Sequence, residues 1–133
     1  MKVKSYLKFI VSFAVILSIF SCSKGGSTNK GNKHIRYHIT GNIGKSVVVQ
    51  YTPTITDLQN TDLPYEETVS LPWSKNVELH YGIKGVGCSV SAGEAVPGTT
   101  ATIEIFHNEI KVNSKSGTVD SDGNISFLLN HYF

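Results

Sequence analysis

Hydrophobic and polar residues alternate through most of the chain after residue 34, with the period of two that is typical of β-strands. Turn-forming pairs such as Pro97-Gly98 and Asp122-Gly123 separate the alternating runs. No stretch repeats hydrophobic residues at helical spacing over three turns. The pattern predicts strands over residues 35–39, 46–51, 68–73, 77–83, 88–92, 101–105, 110–112 and 125–129.

These runs predict an all-β fold, an immunoglobulin-like β-sandwich of about seven or eight antiparallel strands. A small closed barrel is the alternative, because it also needs many short strands joined by turns. Residues 34–133 are expected to form this single domain. The longest break in the pattern, residues 57–64, predicts the largest loop.

The first 21 residues have the composition of a secretory signal peptide. Three lysines lie within residues 1–8, and residues 9–20 are apolar apart from Ser12 and Ser18. A transmembrane anchor is the alternative, but a span needs about 20 apolar residues and Lys8 shortens this run. We therefore expect the segment to be absent from the mature protein.

The end of this apolar run has a more specific pattern. Ile19, Phe20 and Ser21 precede Cys22 in an order that resembles the lipobox of bacterial lipoproteins. The resemblance implies cleavage before Cys22, attachment of diacylglycerol to its thiol and acylation of the new amine. Two or three acyl chains anchor a protein stably to a membrane. An incidental cysteine near an ordinary cleavage site is the alternative.

Removal of the signal peptide changes the net charge of the chain and leaves a tether before the domain. Loss of residues 1–21 shifts the formal net charge from +2 to −1, so no basic excess remains for nucleic acid. Residues 22–33 are rich in glycine, serine, asparagine and lysine, as flexible tethers are. They resemble the tethers of Bacteroidota lipoproteins without the acidic run associated with surface export, which implies an outer-membrane lipoprotein facing the periplasm.

A series of short motifs extends along the domain, and Leu-Pro-Trp at residues 71–73 is the most specific of them. The others lie at residues 37–41, 47–51, 90–92, 101–106 and 110–112. Their order and spacing resemble the periplasmic domain of the MmpS family over about residues 36–129. The resemblance implies a β-sandwich and an accessory role beside MmpL-type transporters of the RND superfamily. Family members usually have a transmembrane helix where this chain has the lipobox-like segment.

Aromatic residues on strands suggest where a partner would bind. Trp73 is interpreted first as a core tryptophan between two sheets, and second as a docking aromatic if it is exposed. We expect interaction residues, if present, to cluster around Tyr65, Trp73 and the loop that holds Asp57 and Asp62. The acids near this loop, including Glu67, are interpreted as a solvated rim.

The sequence contains no pattern typical of catalysis, metal binding or cofactor binding. Cys88 falls on a predicted inward face, where a thiol is buried and unreactive. The five histidines have no paired spacing for a metal. Residues 120–124 resemble the start of a calcium loop but lack the glycine and glutamate it requires later. We therefore expect neither an enzyme nor a metal or cofactor site.

The sequence predicts a lipid-anchored, non-enzymatic binding or adaptor domain of the bacterial envelope. Its partners would be the membrane, through the anchor, and an envelope protein such as a transporter complex. A lipoprotein that binds a small ligand or glycan is the alternative. An apolar or aromatic pocket at the loop ends would favour the ligand, and a surface without cavities would favour the adaptor.

Overall fold

The computed structural model describes residues 30–59 and 64–133, and all regular structure in these residues is β-strand. The signal segment 1–21, Cys22 and Asp62 lie outside the described residues. Within them, no helix has the length and apolar character needed to span a membrane. The strands are β1 Lys33–Gly41, β2 Val47–Tyr51, β3 Tyr65–Val69, β4 Trp73–Leu79, β5 Gly85–Ala92, β6 Thr100–His107, β7 Ile110–Thr118 and β8 Ile125–Tyr132.

The eight strands form two antiparallel sheets of four strands each. One sheet has the order β4-β1-β6-β7, and the other has the order β3-β2-β5-β8. Inward-facing residues of both sheets belong to one hydrophobic cluster, so the two sheets form a β-sandwich. The predicted all-β sandwich is therefore confirmed, whereas its immunoglobulin-like character is not.

The core follows the alternation in the sequence. On β1 the buried side chains are Ile35, Tyr37 and Ile39, and the residues between them face outward. Tyr37 is fully buried, and its hydroxyl donates a hydrogen bond to the Thr52 carbonyl at 3.0 Å. Burial raises the pKa of Tyr37, so this side chain stays neutral at all physiological pH values.

Three predicted strands differ clearly from the observed ones, and one of them, predicted over residues 110–112, continues to Thr118 as β7. Residues 68–73 do not form one strand, because β3 ends at Val69 and β4 begins at Trp73. The turn between them contains Pro72, which has no N–H to donate to a sheet. The strand predicted over residues 77–83 also stops early, since β4 ends at Leu79.

The segment after β2 changes sheets and covers part of β4. Ile55 forms an isolated parallel bridge with Leu79, although β2 itself belongs to the other sheet. The Ile55 N–H donates to the Glu78 carbonyl at 2.9 Å, and the His80 N–H donates to the Ile55 carbonyl at 2.6 Å. This contact covers the C-terminal end of the β4 edge, at Glu78 and Leu79. The N-terminal half of β4, which begins at Trp73, faces β3 across the gap between the sheets.

Candidate functional site

The terminal strands β3 and β4 belong to different sheets and face each other along one side of the sandwich. We call this side the β3–β4 seam and define it by the inward-facing residues Tyr65, Glu67, Trp73 and Lys75, with Tyr51 of β2 between them. The alternation that buries Val77 and Val49 places Lys75 and Glu67 on inward faces as well. The seam therefore combines charged and aromatic side chains where a core position would normally be apolar.

A three-residue hydrogen-bond group joins the two strands. Lys75 Nζ lies 2.8 Å from Glu67 Oε1, and the Tyr51 hydroxyl donates to the same oxygen at 2.5 Å. These two donors hold the pKa of Glu67 below its usual value, while Glu67 raises the pKa of Lys75. Burial, followed by the bond to Glu67, raises the pKa of Tyr51. At neutral pH the group is therefore a carboxylate, an ammonium and a neutral phenol.

Aromatic rings surround this hydrogen-bond group. The ring centroid of Tyr51 lies 5.5 Å from that of Trp73 and 6.3 Å from that of Tyr65. It also lies 5.6 Å from the Tyr37 ring on the opposite sheet. Lys75 Nζ is 5.6 Å from the Tyr51 centroid, within the range of a cation–π contact. Tyr51 is thus the centre of a cluster that extends from the core to the surface.

The surface of the seam is a small open cleft. Its volume is about 230 Å³, and Tyr51, Tyr65, Glu67 and Lys75 contribute to its lining. Pockets that hold drug-sized ligands usually have volumes of about 300–1,000 Å³. Tyr65 is 55% exposed at the rim, whereas Trp73, on the other strand of the seam, is only partly exposed. The cleft therefore presents one exposed aromatic ring beside a charged pair.

The structure brings together only part of the predicted interaction site. Tyr65 and Trp73 each contact Tyr51, so both lie at the β3–β4 seam. Asp57 is exposed in the turn after Ile55, where its carboxylate accepts the Gln59 N–H at 2.9 Å.

The two preferred sequence interpretations of seam residues are also changed by the structure. Trp73 packs against the core from a half-buried position and is not a fully buried core residue. The Glu67 side chain is 32% exposed, as a rim residue would be, but its carboxylate is also bonded to Lys75 and Tyr51. Lys75 and Tyr51 were not predicted as site residues. The alternation of the sequence could have shown that each residue occupies an inward position of a strand. It could not show that the two side chains meet, because that depends on which strands face each other.

The remaining candidates do not form a second site in the described part of the chain. Cys88 is fully buried, and burial raises the pKa of its thiol to about 12, as expected for an unreactive cysteine. His38 Nδ1 hydrogen-bonds the Ser74 hydroxyl at 2.6 Å. The Asp120 carboxylate accepts the N–H groups of Asp122 and Asn124, which makes it part of a turn. Across residues 30–59 and 64–133, no group of three or more metal-ligating side chains converges.

No protein-family model, no curated protein and no solved structure matches this chain. The resemblance to the MmpS family thus rests on the motifs of the sequence and stays a prediction.

Proposed function

We propose that this protein is a lipid-anchored domain of the bacterial envelope that binds another envelope protein through the β3–β4 seam. The exposed ring of Tyr65 beside the Glu67–Lys75 pair is the observation that carries the proposal. Tyrosine and tryptophan are enriched in protein interfaces, where a rigid ring contributes area at a low cost in conformational entropy. The lipid anchor at Cys22 would hold this surface close to membrane-bound neighbours.

The polar centre of the seam suits a protein partner. Lys75 and Glu67 have side chains that are 41% and 32% exposed, so a partner would bury a pair that is already neutralised and hydrogen-bonded. Burying a paired charge avoids most of the penalty of burying an isolated one. Tyr51 packs against Tyr65 and is itself packed against Trp73, which restricts the position of the exposed ring before binding.

The edges of the two sheets provide a second element of recognition. β3 is the terminal strand of its sheet, and β4 is the terminal strand of the other. A peptide from the partner can extend a terminal strand by backbone hydrogen bonds while its side chains enter the cleft. Inward-pointing charges on terminal strands also oppose uncontrolled edge-to-edge pairing. Glu67 and Lys75 therefore favour a specific partner over self-association.

Binding of a small ligand or glycan is the second candidate function. The seam cleft, about 230 Å³, is smaller than a usual ligand pocket. A larger cleft of about 450 Å³ lies on the other side of β4 and is lined by polar residues such as His34, Asn76 and Glu78. A third cleft, of about 430 Å³, lies at the loop ends between residues 41–46 and the turn at residues 70–71. Most of its lining residues are polar or glycine, so none of the three clefts is the apolar or aromatic pocket that the ligand alternative predicts, and we favour the adaptor.

Photo-crosslinking in intact cells tests the proposal. A photoreactive phenylalanine analogue replaces Tyr65 in the lipidated protein, and a matched probe replaces Leu128, which is 49% exposed on the other sheet edge. We expect a discrete protein adduct with the probe at position 65 that is weak with the probe at position 128. The adduct should be lost in the Cys22→Ser protein. Identification of an RND-type transporter in it would support the accessory role that the MmpS resemblance implies.

Two results would contradict the proposal. The first is an identical set of adducts from both probe positions, which would indicate random collision. The second is a Tyr65→Ala protein that captures the same partner as the unchanged protein through a probe at another seam position. If the probes capture no protein, a screen of envelope glycans against the purified protein decides for the ligand alternative.

A further inference from the structure

The N-terminal segment joins the domain at one end of the sandwich. β1 begins there at Lys33, which pairs with Leu79 near the end of β4. The pairing of Gly85 with Tyr132 places the beginning of β5 and the end of β8 at the same end. The β6–β7 turn also lies there, because His107 pairs with both Ile35 and Ile110. We call this the anchor end.

Exposed hydrophobic side chains concentrate at the anchor end. The described residues include eight large hydrophobic side chains that are exposed. The five at the anchor end are Leu58, Tyr81, Ile110, Tyr132 and Phe133, with exposures from 38% to 76%. Leu58 belongs to this group because it packs beside Gly82 in the connection between β4 and β5. At the opposite end of the sandwich only Val96 is in the same class among the described residues.

Lysine side chains lie over these aromatic rings. Lys33 Nζ is 4.9 Å from the centroid of Phe133, and Lys30 Nζ is 5.9 Å from that of Tyr81. Lys33 also donates hydrogen bonds to the carbonyls of Tyr81 and Ile83, which fixes its position beside the rings. Lys84 adds a third cation in the same connection. The acids Asp57 and Glu109 also lie at this end, and Glu109 is paired with Arg36 at 3.0 Å, so the balance of the end remains positive.

The opposite end has a different chemical character. Asp120 and Asp122 lie in the turn between β7 and β8, and the nearby Lys45 is paired with Glu94 at 2.7 Å. That end is therefore acidic in balance and nearly free of exposed apolar side chains. The two ends differ in the two properties that decide affinity for an anionic lipid surface, which are exposed apolar area and positive charge.

We infer that the anchor end lies against the membrane surface, with its aromatic rings at the level of the lipid headgroups and its lysines toward anionic lipids. Tyrosine and lysine combine apolar bodies with polar ends and suit this boundary. Cys22 lies eight residues before Lys30, and such a chain spans at most about 29 Å even when fully extended. The inference rests on the lipidation of Cys22 in the proposed function. It leaves the β3–β4 seam on the side of the domain, accessible to a neighbour in the envelope.

Hydrogen exchange with mass spectrometry tests this orientation. The lipidated protein is placed in vesicles of phosphatidylethanolamine and phosphatidylglycerol, and separately in detergent. We expect amides in residues 80–84, 107–110 and 131–133 to exchange about tenfold more slowly in the vesicles. Amides in residues 93–99 and 118–124, at the opposite end, should exchange equally in both preparations.

Matched variants distinguish the effect of the side chains at the anchor end from the effect of the acyl chains. Tyr132→Ser combined with Lys84→Gln should abolish the slow exchange, whereas Val96→Ser combined with Lys45→Gln at the opposite end should not. In neutral phosphatidylcholine vesicles the affinity of the anchor end for the surface should fall by about fivefold for each lysine, so the protection should be lost. Equal exchange at both ends in the vesicles would overturn the inference. Protection that follows protein concentration instead of lipid would also overturn it, because a second copy would then cover this end.

The mass of the purified protein shows whether Cys22 is lipidated, so the lipid anchor and the proposed orientation are tested separately. Acyl chains on the protein without protection of the anchor end would leave the anchor intact and reject the orientation. If the mass shows no acyl chain, the lipid anchor is rejected. The orientation is then decided with the Cys22→Ser protein, which should still sediment weakly with the phosphatidylglycerol vesicles and be released by salt. No sedimentation would reject it.

Discussion

The sandwich has two seams, and they are closed in different ways. At the β3–β4 seam, inward-facing side chains bond to each other, with Lys75 paired to Glu67 at 2.8 Å. At the β7–β8 seam, inward-facing side chains of β7 bond to the backbone of β8. Asn113 Nδ2 donates to the Asn130 carbonyl at 2.8 Å, and Lys115 Nζ donates to the Leu128 carbonyl at 3.1 Å.

This difference determines which edge is available to a partner. Asn113 and Lys115 already donate hydrogen bonds to carbonyl groups on the outer edge of β8. Fewer acceptors therefore remain on this edge for an added strand. The charged pair of the β3–β4 seam involves side chains alone, and the backbone of β3 remains at the outside of its sheet. An envelope partner is therefore expected at the β3–β4 seam, and the β7–β8 seam is expected to serve stability.

The largest effect is expected from overpacking the β7–β8 seam. A Cβ at Gly117 would lie within 3.0 Å of three ring atoms of Phe127. Gly117→Val should therefore lower the free energy of unfolding by about 1–3 kcal/mol. Urea denaturation followed by circular dichroism measures it, with Gly31→Val as the control, because a Cβ at Gly31 has no neighbour within 4 Å. Equal stability of the two variants would show that the β7–β8 seam is loosely packed.

A somewhat smaller loss is expected when the charged pair of the other seam is broken. Glu67→Ala removes the acceptor of both Lys75 and the Tyr51 hydroxyl. Because Tyr51 is almost fully buried, its hydroxyl loses a partner that water replaces poorly, at a cost of about 1–2 kcal/mol. Urea denaturation measures the loss, and Glu66→Ala is the matched control on the outward face of the same strand. A similar loss in the control would show that the seam pair has no special role.

Removal of the side-chain hydrogen-bond donors to β8 tests the role of the β7–β8 seam. Asn113→Ala and Lys115→Met should each lower the free energy of unfolding by about 0.5–1.5 kcal/mol, since each removes one side-chain hydrogen bond to a carbonyl. The doubly substituted protein should also self-associate, because the β8 edge becomes free to pair with another chain. Analytical ultracentrifugation detects this. A double variant that stays monomeric would show that Asn113 and Lys115 do not protect the edge.

The alternation of the sequence predicted most of the strands but not the pairing across the seams. Val69, Leu71 and Trp73 all pack against the core. Their spacing of two residues therefore predicted a single strand, although the backbone turns between β3 and β4. Lys75 and Glu67 looked like surface residues because their partnership depends on two strands in different sheets. Tyr65 and Trp73 were named as candidate interaction residues from residue type alone, and that role stays a prediction.

The smallest effect is expected from the pH dependence of the β3–β4 seam. The folded-state pKa of Glu67 is lowered from its ordinary value of 4.5, so its contribution to stability is present above that value. This contribution is lost as the pH falls through the lowered folded-state pKa. The free energy of unfolding should therefore decline less below pH 4.5 in Glu67→Gln than in the unchanged protein. The amide oxygen keeps an acceptor for Tyr51, so Glu67→Gln should be more stable than Glu67→Ala near neutral pH. Identical acid titrations of stability for the unchanged protein and Glu67→Gln would show that the carboxylate charge does not stabilise the seam.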